Sequence, residues 1–122
     1  MTKQQFIIKS LLPYFKDPSK RGTNAAGTCK YLTPEGKKCA VGQYILPSKY
    51  HEEIENMLIS EALGENQCNL KKSVRGILST SEFRKVQQVH DNLLTAQKDF
   101  FIKEVEKCCN VDLSKLKALL PK

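Results

Sequence analysis

The sequence predicts a mainly α-helical α+β domain of about five helices with one small β-hairpin near residues 28–42. Capping motifs open two of the predicted helices, and apolar residues recur at helical spacing along most of the chain. A proline–glycine turn separates two short segments that each carry a cysteine. The length of 122 residues suits a single domain spanning 1–122, because no internal repeat or linker divides the chain.

The first predicted helix begins at Thr2, which forms a capping box with Gln5. Pro13 disfavours helical geometry in the residue before it, so we expect this helix to end near Leu12. Residues 16–27 are polar and rich in turn formers. They predict a loop of the long kind that often carries function.

The β-hairpin is predicted from the turn at residues 33–36, where proline and glycine occupy their preferred positions. If Leu32 pairs with Lys37, Cys29 and Cys39 become diagonal neighbours on the two short strands. Both thiols are then expected close together at the base of the turn.

A second long helix is predicted from Pro47 to about Leu63, with its glutamates facing solvent. Gly64 ends it, and a short helix follows within residues 69–78. The apolar residues expected to face the core from these two helices are Ile54, Met57, Leu58, Val74, Ile77 and Leu78.

Ser79 and Glu82 form another capping box, which opens the longest helical pattern of the chain. This helix is predicted to run to Asn110, and Asp112 or Ser114 caps a short last helix. The apolar stripe of the long helix contains Phe83, Val86, His90, Leu93, Leu94, Phe100, Phe101 and Val105.

The net charge of +7 is unevenly distributed. Residues 16–38 and 69–85 each carry a net charge of +4, whereas residues 49–65 carry a net charge of −4. Basic segments are usually solvated helix faces, but they also attract polyanions, phosphorylated ligands and acidic protein surfaces. The residues that we predict to form a binding surface are Lys20, Arg21, Lys30, Tyr31, Lys37 and Lys38.

The five cysteines predict a cytoplasmic protein. No export signal is recognised at the N-terminus, and thiols normally stay reduced in the cytosol. The apolar runs are too short to cross a bilayer, so no membrane partner is expected.

Cys39 is the candidate nucleophile. If a helix begins at Ala40, its dipole and the neighbouring Lys37 and Lys38 would lower the pKa of the Cys39 thiol. His90 is the candidate base. The alternative, which we favour, is that Cys39 packs the hairpin and His90 is a hydrogen-bonded core residue.

A zinc site is another alternative. It would combine Cys29, Cys39 and His90 with Cys68 or Cys108, and it would stabilise a nucleic-acid binder. Because these spacings follow no established zinc motif, we predict no bound metal and no cofactor.

The block at residues 29–42 reads C-K-Y, a turn with glycine, and then G-K-K-C-A-V-G, and an H-D pair follows at His90. This pattern resembles small uncharacterised proteins of phages and prophages over roughly residues 27–95. The resemblance implies a cytosolic accessory protein acting inside an infected or lysogenic host, and it implies no reaction. It also implies that the hairpin packs against the long helix near His90.

The function predicted from these observations is a non-enzymatic binding or interaction module of phage type. Its partner is a host protein or an anionic ligand, with nucleic acid as a further candidate. The alternatives are a cysteine-dependent enzyme of acyl or glycosyl transfer, with Cys39 as nucleophile and His90 as base, and a zinc-stabilised nucleic-acid binder.

Overall fold

A computed structural model describes residues 1–23 and 29–119. The fold is mainly helical, as predicted. Within the described residues there are five α-helices: α1 (Lys3–Lys16), α2 (Ile59–Ala62), α3 (Thr80–Asp91), α4 (Lys98–Cys109) and α5 (Ser114–Lys117). Short 3₁₀ turns connect them, at Pro18–Lys20, Gly42–Tyr44, Pro47–Lys49, Glu52–Asn56, Glu65–Gln67 and Lys72–Val74. None of the described helices is both long enough and apolar enough to cross a membrane.

Both predicted capping boxes are confirmed. The Thr2 hydroxyl accepts a hydrogen bond from the Gln5 amide at 3.1 Å, and the Gln5 side chain accepts one from the Thr2 amide at 2.9 Å. At the start of α3, Ser79 and Glu82 form the same reciprocal pair, at 3.1 and 2.8 Å. These bonds satisfy backbone amides that no preceding helical turn can bond.

Helix α1 continues through Pro13 to Lys16, so the predicted end near Leu12 is wrong. The continuation buries the side chains of Tyr14 and Phe15. Burying two aromatic side chains stabilises the fold by about 1.5–3 kcal/mol each, which offsets the cost of about 3 kcal/mol for an interior proline.

The predicted hairpin is reduced to a tight turn. Over the residues that the structure describes, no strand forms, and Leu32 pairs with Lys38 in a single antiparallel bridge. The predicted register, with Leu32 opposite Lys37, is therefore wrong by one residue. Thr33 sets the observed register, because its amide donates to the Lys37 carbonyl at 2.8 Å and its hydroxyl accepts from the Lys37 amide at 3.0 Å.

The prediction of a long helix from Pro47 to Leu63 is also wrong. Extended backbone at His51 and Leu58 divides this region into two 3₁₀ turns and the four-residue α2. Ile54 is buried as predicted, whereas Leu58 is 72% exposed. The helix expected within residues 69–78 is likewise only a 3₁₀ turn.

The predicted helix from Ser79 to Asn110 is divided into α3 and α4. The side chain of Asn92 donates to the Gln88 carbonyl at 2.9 Å and ends α3, and α4 folds back onto it. This return buries Ile102 and Val105, which a straight helix would leave far from the core. Asn110 ends α4 in the left-handed conformation, as predicted.

Candidate functional site: a cleft beside helix α3

A cleft of about 570 Å³ opens between α3, the segment 29–31 and the segment 57–60. Its volume lies in the range of small-molecule sites. Apolar side chains of Met57, Leu58 and Ile59 form one wall. The other lining residues are Cys29, Lys30, Tyr31, Cys39, Glu55, Ser60, Thr80, Ser81, Arg84, Gln87, Gln88 and Asp91.

Helix α3 supplies the polar wall of this cleft. Thr80, Arg84, Gln88 and Asp91 recur at spacings of three or four, which places them along one face of the helix. Four buried residues of α3 lie on its other faces: Phe83, Val86, Val89 and His90. One helix therefore contributes to both the core and the cleft.

Glu55 fixes the wall opposite α3. Its carboxylate accepts hydrogen bonds from the amides of Tyr31 and Leu32, at 2.8 and 3.1 Å, and from the Tyr50 hydroxyl at 2.6 Å. Burial and this carboxylate raise the pKa of Tyr50 to about 12. The prediction that the glutamates of this region face solvent is therefore wrong for Glu55.

His90 is completely buried and connects α3 to Gly22 in the loop after α1. Its Nε2 accepts the Gly22 amide at 3.2 Å, so the proton of the neutral ring resides on Nδ1 and faces the Asp91 carboxylate at 2.9 Å. The ring of Tyr14 packs edge-on against the imidazole, with 4.7 Å between ring centroids. In this tautomer Nδ1 carries the proton and the lone pair of Nε2 is bonded to the Gly22 amide, so neither ring nitrogen offers a free lone pair to a substrate or a metal.

Gln87 makes a parallel connection. Its Oε1 accepts the Val41 amide at 3.0 Å, and its Nε2 donates to Asp91 at 2.7 Å. The segment that follows Cys39 is thereby bonded to α3 one turn before His90. This block therefore contacts α3 near His90, although the hairpin expected to make this contact does not form.

Two glycines permit this close packing. A Cβ on Gly22 would lie 2.5 Å from both the Cys39 amide nitrogen and the Lys30 carbonyl oxygen, and a Cβ on Gly42 would overlap the Tyr31 carbonyl oxygen. Because these neighbours are backbone atoms, no side-chain rotation relieves the contacts. Both positions therefore require glycine.

Cys39 lies in the buried floor of this arrangement, with 1% of its surface exposed. Burial raises the pKa of its thiol to about 12, although the Gly42 amide donates a hydrogen bond to Sγ at 3.1 Å. The prediction of a lowered pKa is therefore wrong. Lys37 and Lys38 are exposed and do not compensate the loss of solvent. A buried thiol with a raised pKa, and a His90 whose two ring nitrogens are already bonded, disfavour these two residues as nucleophile and base.

Cys29 is half-buried at the cleft. Burial, followed by the negative charge of Asp91, raises the pKa of its thiol to about 12. Its Sγ, a ring nitrogen of His90 and a carboxylate oxygen of Asp91 lie within 4.8 Å of one another. The donor set is compact enough for a metal ion, but the His90 lone pair is already bonded to Gly22. Of the described residues, this grouping includes none of the other cysteines considered for zinc.

The predicted basic binding surface is divided in the structure. Lys30 and Tyr31 line the cleft, whereas the other lysines line a separate groove of about 430 Å³ beside α1. We call this second feature the basic groove; its lysines are Lys20, Lys37 and Lys38.

Arg21, the remaining member of the predicted surface, has a structural role. Its guanidinium donates to the carbonyl oxygens of Pro18, at 3.3 Å, and His90, at 3.5 Å. The bond to Pro18 lies within the loop after α1, and the bond to His90 attaches that loop to the C-terminal end of α3. Arg21 is half-buried, and its guanidinium bonds backbone carbonyl oxygens of the protein.

Sequence reasoning missed Glu55, Arg84 and Gln88. The spacing of Arg84 and Gln88 on one helical face is visible in the sequence, but it equally describes a solvated face. Glu55 carries no distinguishing signal, because the two backbone amides that it accepts from lie on a segment more than 20 residues away. Comparison of the chain with protein-family models, with curated proteins and with solved structures finds no match.

Proposed function

We propose that this protein is a non-enzymatic binding module that takes an anionic ligand into the cleft beside α3. The observation that carries the proposal is that, of the four charged side chains lining the cleft, the two carboxylates are bonded within the protein whereas the two cations have no described ion-pair partner. Glu55 and Asp91 are bonded to protein donors. Arg84, by contrast, has no ion-pair partner among the residues described. Arg84 and Lys30 therefore offer charged donors to an anionic ligand beside an apolar wall.

The state of the reactive groups favours binding over catalysis. The thiols of Cys29 and Cys39 are held protonated by burial, and a thiol is a weak nucleophile. His90 would have to give up a bond to a backbone amide to accept their protons. These features support a pocket that binds a ligand without reacting with it, because no general base is free to deprotonate the thiols.

The cellular setting remains part of the same proposal. The C-K-Y and K-C-A-V-G block supports an accessory protein of phage type in the host cytoplasm. The contacts of this block give it an architectural role, because it forms one wall and the floor of the cleft. A ligand-binding accessory protein fits both the resemblance and the pocket.

The proposal is tested with 8-anilinonaphthalene-1-sulfonate, a fluorescent probe that combines an anion with an aromatic body. We expect saturable binding to the folded protein, and Arg84→Gln to weaken it roughly tenfold, as expected for the loss of a hydrogen bond to a charged group. Lys103→Gln removes the same charge from an exposed position on α4 and should change the affinity less than about twofold. Fluorescence titration gives the affinities, and thermal unfolding verifies that each variant is folded. Equal affinities of the two variants would place the anion outside the cleft.

The basic groove supports a second candidate function, the binding of an acidic surface of a host protein. Its lysines line the depression between α1 and the turn at residues 33–36. Asp17 lies nearby, and its pKa is lowered mainly by hydrogen bonds from Ser19 and also by the charges of Lys20 and Lys37. One carboxylate does not neutralise three lysines, so the groove retains a positive potential.

A further inference from the structure

An exposed leucine lies among exposed glutamates in the segment at residues 52–61. Leu58 is 72% exposed at the start of α2, and the Glu61 carboxylate accepts its amide at 3.3 Å. Glu52 and Glu53 are exposed on the preceding 3₁₀ turn, which contacts α2. None of these three carboxylates belongs to an ion pair among the described residues. We call Leu58 and the three glutamates the Leu58 surface.

The basic groove has the complementary composition. Pro13 and Tyr14 line it together with the three lysines, whose aliphatic stems cover apolar surface while their ammonium groups stay in water. The Tyr14 hydroxyl donates to the Lys38 carbonyl at 2.7 Å, which fixes the turn against α1. The groove volume of about 430 Å³ is ample for one leucine side chain, since a Leu→Ala substitution in a protein core leaves a cavity of about 150 Å³.

A single copy of the chain leaves the two surfaces apart. They share no residue, and within the described part of the chain no hydrogen bond or ion pair joins them. One surface offers a leucine with three carboxylates, and the other offers a groove with three lysines. The shape, the polarity and the charge therefore match between copies rather than within one.

We propose that the basic groove of one copy of this chain binds the Leu58 surface of a second copy. Leu58 enters the groove beside Pro13, and the three glutamates pair with the three lysines. Because the two surfaces differ, the contact is head-to-tail, and each copy of a pair keeps one surface free for a further copy. This inference rests on the second candidate function, because it names the acidic surface that the groove binds.

The net charge of +7 does not prevent this contact. Repulsion between the net charges of two copies is long-ranged and is screened beyond about 8 Å at physiological ionic strength. The contacting regions have opposite signs, since residues 49–65 carry a net charge of −4. One leucine and three surface ion pairs form a small interface of the weak, transient class, so we expect self-association only at high protein concentration.

Sedimentation equilibrium at physiological ionic strength, from micromolar to millimolar protein, tests the proposal. The mean mass of the parent protein should rise with concentration. Leu58→Ser should weaken the association roughly tenfold, because it removes the apolar side chain that the groove buries. Leu94→Ser is the matched control, since Leu94 is 66% exposed between α3 and α4, and it should change the association less than about twofold. Thermal unfolding verifies that each variant is folded.

Mixing two variants identifies the paired surfaces. Glu52→Gln/Glu53→Gln keeps an intact groove, and alone it should associate roughly fivefold more weakly than the parent. Lys37→Gln/Lys38→Gln keeps an intact Leu58 surface and should be weakened similarly. An equimolar mixture brings the intact groove of the first variant to the intact Leu58 surface of the second. It should therefore form dimers with the affinity of the parent.

Three results overturn the proposal: a parent protein that stays monomeric at millimolar concentration, equal effects of the two leucine variants, or a mixture that associates no more than either variant alone. If the groove variant still elutes from a heparin column at lower salt than the charge-matched Lys103→Gln/Lys107→Gln, the groove binds anions and only the second copy is wrong as its partner. If it does not, the second candidate function is wrong as well.

Discussion

His90 acquires its role from the two groups that contact its ring nitrogens. The Gly22 amide takes the Nε2 lone pair, and Asp91 accepts the Nδ1 proton. The side chain is also fully buried against Tyr14. A histidine held in this way anchors a loop, and its imidazole is not available for proton transfer to a ligand.

The reactivity of the thiols tests whether Cys39 is buried and protonated in the folded protein. At neutral pH, iodoacetamide should modify the exposed Cys68 and Cys108 first, and Cys39 only after the protein is unfolded. A pKa raised from 9.0 to about 12 leaves less thiolate at pH 7, so labelling of folded Cys39 should become measurable only as the pH rises well above 9. Peptide mass spectrometry measures each rate. Preferential labelling of Cys39 at pH 7 would contradict this expectation and support the alternative of a cysteine-dependent enzyme.

At the scale of elements, the cleft depends on one short turn. The 3₁₀ turn Glu52–Asn56 directs Glu55 towards the segment at residues 31–32 and holds it opposite α3. Two backbone amides with no strand partner are satisfied by one carboxylate. The turn therefore supplies acceptors to a segment that forms only one bridge, Leu32 with Lys38, in place of the expected hairpin.

Glu55→Gln tests this arrangement. An amide places an N–H where the carboxylate accepted a bond, so we expect the free energy of unfolding to fall by about 2 kcal/mol, within the range for bonds to charged groups. Glu53→Gln is the matched control, since Glu53 is exposed on the same turn. Urea unfolding measures both variants. Equal stability of the two variants would show that the Glu55 carboxylate does not stabilise the wall opposite α3.

At the scale of the whole molecule, cationic side chains without a described ion-pair partner line both the cleft and the basic groove. Both belong to a chain with a net charge of +7. Long-range attraction of an anion is a property of the total charge, whereas stable binding needs local partners. The two contributions are separable by comparing variants of equal net charge.

The double variant Lys37→Gln/Lys38→Gln should elute from a heparin column at lower salt than the parent protein, because fewer counterions are released. Lys103→Gln/Lys107→Gln removes the same charge from exposed positions on α4. We expect a clearly smaller shift for this control. Identical shifts would show that net charge alone governs retention and would remove the basic groove as a specific surface.

Local sequence signals account for the parts of the fold that were predicted correctly. The capping boxes at Thr2 and Ser79 and the helix end at Asn110 involve partners within a few residues. The errors occur where partners are distant. Pro13 stays helical because the core needs the aromatic residues after it, and the break at Asn92 returns α4 to the core.

The candidate site was predictable only in part, for the same reason. The sequence by itself determined a mainly helical, basic chain and singled out the Cys29–Gly42 block and His90. Only the tertiary structure decided that His90 bonds Gly22, 68 residues away, and that Cys39 is enclosed. It also placed Glu55, Arg84 and Gln88 around one cleft. The acidity of a thiol and the role of an imidazole depend on burial and on hydrogen-bond partners, and here distant segments supply both.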